Sequence, residues 1–334
     1  MGRAWRRGVL VLGALGAFGL GGAWHLLTSP LPDGLQPCFD LPSGASAGEL
    51  TSRLAPRLAP PTRLALQGYL RLSGAARALK AGEYCLSPGT TPRSLVTQVR
   101  EGKVHQRTFQ ILEGWTLRDL EAALTAAPRL DRAPLASGWA ERAEQLGRSG
   151  SLEGRFFPDS YAYTAGSSAL ALLAQAASRM DRLLEAAWAQ REPTEVLPSP
   201  EALLILASLV EKETGQAADR PRVARVFHNR LREGMRLQTD VSVIYGLGPA
   251  FNGDLTRADL RRDTPYNSYR RRGLPPTPIA FPGRAALEAA ARPAPGPWRY
   301  FVARGDGTSE FSVTLKAHEE AVDRFQRRQR TQKD

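Results

Sequence analysis

Two glutamates one residue apart, Glu211 and Glu213, close an almost wholly apolar stretch in the segment LASLVEKETG at 206–215. From Leu203 to Val210 nearly every position is apolar, on all sides of a 3.6-residue repeat, which predicts a buried helix. A carboxyl group in the last turn of such a helix feels two effects of one sign. Burial disfavours its anion, and so does the negative end of the helix dipole. Both move its pKa toward the range where a glutamic acid holds a proton near neutral pH and can donate it. Lys212 opposes this if it points inward, and Gly215 is placed to end the helix in a left-handed turn. On the helix alone a plainer reading stands beside this one, an amphipathic helix end whose two acids face water.

A second stretch supplies groups that an acid of this kind could work with. Residues 235–283 are rich in Gly, Pro and Tyr and long for a connector; irregular segments of that length in compact domains are usually functional. They carry Gln238, Thr239, Asp240, Tyr245, Tyr266, Asn267, Ser268 and Tyr269. Amides and hydroxyls match sugar hydroxyl and acetamido groups, and tyrosine faces pack on the apolar face of a pyranose. The competing reading makes Tyr266 and Tyr269 packing aromatics and Asn267 a turn residue.

The elements that must position these groups follow an α+β pattern. Cys38–Leu41 and Gly82–Leu86 alternate as strands, helices are expected over 46–58 and Thr62–Leu72, and Pro92 opens a helix that Gly102 ends. Thr108–Leu112 reads as a strand before a helix capped by Thr116 with Asp119. Residues 126–150 read as helical, and a long helix is expected over Ser168–Gln190. Asp219 is placed to cap a helix that Gly234 ends, and Asp240–Gly246 has the makings of another. Tyr300–Ala303 and Glu310–Val313 flank a hairpin signal before a final helix, Leu315–Gln326.

The chain has 334 residues, enough for two domains. Arg3, Arg6 and Arg7 precede an apolar run, roughly Gly8 to Leu27, of the length that spans a bilayer as a helix. The arginines before it orient the rest of the chain outward across the cytoplasmic membrane. The run continues through Trp24 and Leu27 without a small-x-small site, which favours an uncleaved anchor over a signal peptide. That placement argues against nucleic acid as the target of the net charge of +12; a solvated arginine-rich surface, with some bias toward acidic wall polymer, fits better. Cys38 and Cys85 are either an exported disulfide or two free thiols, and the four scattered histidines have no metal-ligand spacing.

Four segments in order, VEKET, GMRLQTDVSVIYGLG, PYNSY and GLPPTPIAFPG, resemble the endolytic murein transglycosylases of the YceG-like family. RFFPDSYAY and the C-terminal YFVARGDGTSEFSVTLKAH match in kind, and KAGEY with its following helix resembles the family's LysM-like subdomain. Ser268 in PYNSY and the cysteine pair depart from the pattern. The resemblance implies an anchor over residues 1–32, a LysM-like subdomain over 33–105 and a catalytic domain over 106–334. It implies lytic cleavage of peptidoglycan strands outside the cytoplasmic membrane, alongside peptidoglycan synthases, with no cofactor. One carboxyl suffices for that chemistry because the muramic acid C6 hydroxyl is a built-in nucleophile, where ordinary glycosidases use two.

Positions two apart on a helix point about 200° apart, so Glu211 and Glu213 cannot share a cleft centrally. The resemblance assigns Glu213 as the acid, with Glu211 the second choice. Gln238 and Asp240 are expected to orient the acid or bind the acetamido group, and Tyr266 and Asn267 to line the saccharide cleft. A non-catalytic glycan-binding scaffold and a water-using muramidase with Asp240 as second carboxylate are the competing functions.

Overall fold

The computed structural model describes residues 19–32, 38–54 and 58–327. The expected anchor lies largely outside them; residues 19–28 are helical, and among the described residues no helix is long and apolar enough to cross a membrane. The chain divides into two compact units, residues 1–107 with 162–166, and residues 108–161 with 167–334.

In the first unit β1 (Cys38–Leu41) pairs antiparallel with β2 (Gly82–Cys85), placing Cys38 directly opposite Cys85. The two cysteines form a disulfide. Helices α1 (Ala47–Leu54), α2 (Pro60–Leu72) and α3 (Pro92–Glu101) bury Leu50, Leu54, Leu66, Leu70, Leu95 and Val99 around Tyr84. Proline opens α2 rather than breaking before it, because its missing N–H falls where a helix leaves donors unpaired. Leu27 and Leu31 join the same core. Glu83 is buried and its carboxylate accepts from both terminal nitrogens, Nη1 and Nη2, of Arg107.

The second unit begins at Thr108, within β3 (Arg107–Ile111), a strand that pairs with β4 (Asp159–Tyr163). Between them lie α4 (Leu117–Ala126), with a capping box of Thr116 and Asp119, and a short α5 (Trp139–Gln145). Helix was expected through 126–150; instead much of it is turns, as Pro128, Pro134 and three glycines break the run. The long α6 (Ala169–Ala189) follows, then α7 (Pro200–Glu213), α8 (Arg220–Arg232), α9 (Asp240–Leu247), the single-turn α10 (Arg257–Arg261) and α11 (Arg284–Ala291). A hairpin of β5 (Tyr300–Ala303) and β6 (Ser309–Ser312) precedes α12 (Leu315–Val322). The final helix is shorter than expected and continues as a π-helical turn, Asp323–Arg327.

Helix α7 is the centre of this unit. Every residue from Ala202 to Val210 is buried, and α6, α8 and α11 pack around it. At about 1.5–3 kcal/mol for each large aliphatic side chain buried, this helix supplies a large part of the driving force. Ser199 caps its start and Pro200 occupies its first turn. Its end differs from expectation. Gly215 is not left-handed; Thr214 turns the chain extended while donating to the Val210 carbonyl. Asp219 likewise does not cap α8: its carboxylate accepts from the Ser309 N–H, tying the helix start to β6.

Candidate active site

The two acids of α7 meet different parts of the long loop region. Ser208 accepts from the Ile279 N–H at 3.0 Å, and one turn on Glu211 accepts from the Gly283 N–H at 2.9 Å. One face of the helix thus carries the segment 279–283, with Glu211 serving as its clamp. A side chain at Gly283 would meet the carboxyl end of Glu113, which would have to move aside. Burial raises the pKa of Glu211 first, and the negative charge of Glu113 adds to it.

Glu213 faces the other way. Its Oε2 accepts a hydrogen bond of 2.6 Å from the Thr239 hydroxyl. Burial of its carboxyl raises its pKa, and the Asp240 charge adds to this; the Thr239 hydrogen bond and the Arg230 cation work against it. Thr239 stands before the first residue of α9, where its hydroxyl would ordinarily cap the helix, yet it makes no cap bond. Asp240 accepts from the Tyr269 hydroxyl at 2.6 Å. Burial, then the neighbouring Asp240, pushes the Tyr269 phenol well above its usual range.

A groove of about 640 Å³ opens beside these elements, lined among others by Lys212, Val241, Tyr245, Tyr266, Glu153 and Arg118. Lys212 is the chain neighbour of Glu213, and its Nζ donates to the Gly114 carbonyl at 3.2 Å. Tyr245 and Tyr266 meet edge to face at 4.9 Å. Gly246 permits that approach, since a Cβ there would lie 2.9 Å from the Tyr266 Cβ. The Tyr266 hydroxyl bonds Thr277 at 2.9 Å, and the Tyr245 hydroxyl donates to Glu153 at 3.0 Å. Glu153 also accepts from the Leu117 N–H at 3.1 Å. It is buried, and that burial lifts its pKa to about 7 against these donors.

Of the residues singled out in the sequence, the fold brings Thr239 and Asp240 to Glu213 and puts Tyr266 on the groove. Gln238 is exposed, with a left-handed φ of 50° and its N–H on the Ser268 carbonyl. Asn267 corrects the expectation of a cleft-lining residue. It is buried, its amide donates to the carbonyls of Asp259, Leu260 and Arg262, and its Oδ1 accepts from the Tyr269 N–H. Both ends of its amide are engaged in holding the loop. Glu153 and Arg230 were not found by sequence reasoning. Glu153 stands in a turn, outside any periodic pattern, and Arg230 looks like one more cation in an arginine-rich helix.

The model of the YceG-like family matches residues 39–324. The endolytic murein transglycosylase of Bacillus subtilis (strain 168) is 30% identical over 307 residues, 86% of this chain and 84% of that protein. The endolytic murein transglycosylase of Streptococcus pneumoniae serotype 2 is 28% identical over 67% of this chain, which spans 46% of that longer protein. A crystal structure of a yceG-like protein from Listeria monocytogenes aligns with a TM-score of 0.55 at 28% identity, covering 85% of this chain and 97% of that one. With a buried helix ending in paired acids, a tyrosine-lined groove beside it and a family match over most of its length, this chain belongs to the YceG-like family.

Proposed function

We propose that this chain is an endolytic murein transglycosylase, cleaving the bond between N-acetylmuramic acid and N-acetylglucosamine in peptidoglycan strands. The observation that carries the reading is the placement of Glu213: a carboxyl held up in pKa by burial, hydrogen-bonded at one oxygen, at the end of a buried helix, with the preceding residue, Lys212, lining the groove. Such a group delivers a proton to the glycosidic oxygen as the C1–O bond breaks. The carboxylate left behind takes the proton from the muramic acid C6 hydroxyl, whose oxygen closes on C1. The products are a 1,6-anhydro end and a new free C4 hydroxyl, with the acid regenerated. No second carboxylate is needed, and the fold gives Glu211 other work, on the Gly283 N–H.

In this reading Tyr245 and Tyr266 form the floor against which pyranose faces stack, and Asp240 with Tyr269 flanks the acid. The apolar run of residues 8–27 holds the enzyme in the cytoplasmic membrane with its catalytic unit outside. The first unit serves as a LysM-like module on the glycan, near the synthases that make it. An anchored enzyme of this kind cuts nascent strands at a set distance from their lipid end.

Digestion of purified glycan strands with mass analysis of the products tests the reaction. Anhydro-muramic ends are expected; reducing ends would mean a muramidase, and intact strands a binding scaffold. Anchoring is tested separately by whether deleting residues 1–32 releases the protein from the membrane fraction.

A further inference from the structure

The Thr239 hydroxyl has an unusual position for a helix-capping residue. It stands at the start of α9 but leaves the helix N–H groups uncapped and points its proton at Glu213 Oε2, 2.6 Å away. Among the described residues Glu213 is the sole acceptor recorded for that proton. The backbone that carries Thr239 is held on both sides. Its N–H donates to the Ser268 hydroxyl at 3.0 Å, and its carbonyl accepts from Ser242 at 2.9 Å and Ser268 at 3.2 Å. Just before it, Gln238 is kept left-handed by its N–H on the Ser268 carbonyl, and Arg230 grips the Leu237 carbonyl at 2.5 Å. A non-glycine residue stays in that conformation only where its surroundings over-determine it. The surroundings here fix one thing, the direction of the Thr239 side chain.

We propose that Thr239 is the positioning residue that decides which oxygen of Glu213 carries the catalytic proton. Because its hydroxyl donates to Oε2, that oxygen is an acceptor in both protonation states, and the transferable proton sits on Oε1. The same hydrogen bond steadies the carboxylate that forms once the proton has gone to the glycosidic oxygen. This rests on Glu213 as the acid. The other titratable groups facing it are Asp240 at the start of α9, Arg230 from α8 and Tyr269, so the pH response of Thr239 variants is read against their unchanged background.

The test is the pH dependence of anhydro-end release from purified glycan strands by full-length enzyme. Thr239→Val removes the donor while keeping the shape. Its kcat is expected to fall about tenfold, part of the hundredfold or more that general acid catalysis contributes. The alkaline limb of its profile moves to higher pH, because a bond to the charged form has been lost. Thr239→Ser restores both, and KM stays near wild type in each. A valine variant with wild-type melting and an unshifted limb overturns the proposal, as does a serine variant as impaired as valine. Should the valine protein not fold, Thr239→Ala carries the same arm. Activity retained in Glu213→Gln overturns the acid assignment and this proposal together; activity lost there with an unshifted Thr239→Val limb overturns this proposal alone.

Discussion

The two units are held together by different means. Among the described residues of the first, Thr51 and Glu83 are the buried polar side chains, and a disulfide joins its two strands. The second has no cysteine and buries Glu153, Ser208, Arg225, His228, Asn229, Arg230, Thr239, Ser242, Asn267 and Ser268. Of these, Ser208, Arg225, Asn229, Arg230, Ser242, Asn267 and Ser268 have side chains bonded to backbone of the segment between 235 and 299. A small apolar core with a covalent staple gains stability from limiting the unfolded chain. A large core can bury polar groups so long as each finds a partner, and it gains shape in loops that have no regular structure of their own. Three carboxyls, Glu153, Glu211 and Glu213, remain incompletely compensated and keep raised pKa values.

The sharpest way to break that contrast is at the two acids. Glu213→Gln should lower strand cleavage on the order of a thousandfold, the middle of the range for a general acid, with melting unchanged. Glu211→Gln should instead cost stability through the Gly283 contact and leave the pH profile in place. The reverse result, in product analysis, would exchange their roles. In the first unit, replacing Cys38 and Cys85 by serine should cost about 4 kcal/mol of unfolding free energy on the chain-entropy account, seen as a fall in the denaturant midpoint of the first unit. Strand cleavage per folded molecule should change far less than in Glu213→Gln.

Glu153 offers a pH test of the second unit. Its pKa is raised from the usual carboxyl range to about 7 in the folded protein. The folded state therefore binds this proton more tightly than the unfolded state, and the stability it favours is fully present below the unfolded pKa. That contribution is lost as pH rises toward 7, by about 3 kcal/mol in all. His228, with its pKa lowered by burial, acts oppositely, losing stability as pH falls below its unfolded value. The difference between wild type and Glu153→Gln in urea midpoints over pH 4–8 isolates the glutamate; a flat difference would refute the assignment. The smallest expected effect is Asn267→Ala. Three loop carbonyls lose their donor, at a cost of about 1–3 kcal/mol. KM for glycan strands should stay the same in the folded fraction, and a rise in KM without destabilisation would return Asn267 to the cleft.

Much of the local structure could be read from residue order. The strand at Cys38–Leu41, the capping box of Thr116 and Asp119, the proline-initiated α3 and the buried α7 all follow from short-range propensity and periodicity. Reading failed where a polar residue had two plausible partners. Asp219, expected to cap a helix, and Thr239, counted among sugar-binding groups, both stand at helix starts; both turn instead to groups distant in the chain, Ser309 and Glu213. Asn267 was equally ambiguous, because an amide that can bind a sugar can hold a loop equally well. Glu153 had no local signal at all.

By itself the sequence determined that a buried helix ends in two acids, that a long polar region follows it, and that both belong to a known pattern of motifs. Those properties depend on neighbours within a few residues or on order along the chain. Only the tertiary structure decided which acid meets which loop, that Thr239 bonds Glu213 while Glu211 bonds Gly283, and that Cys38 and Cys85 are joined. Each of these depends on groups 26 or more residues apart. Helix periodicity sends the two acids to opposite sides, but what waits on each side is settled by packing.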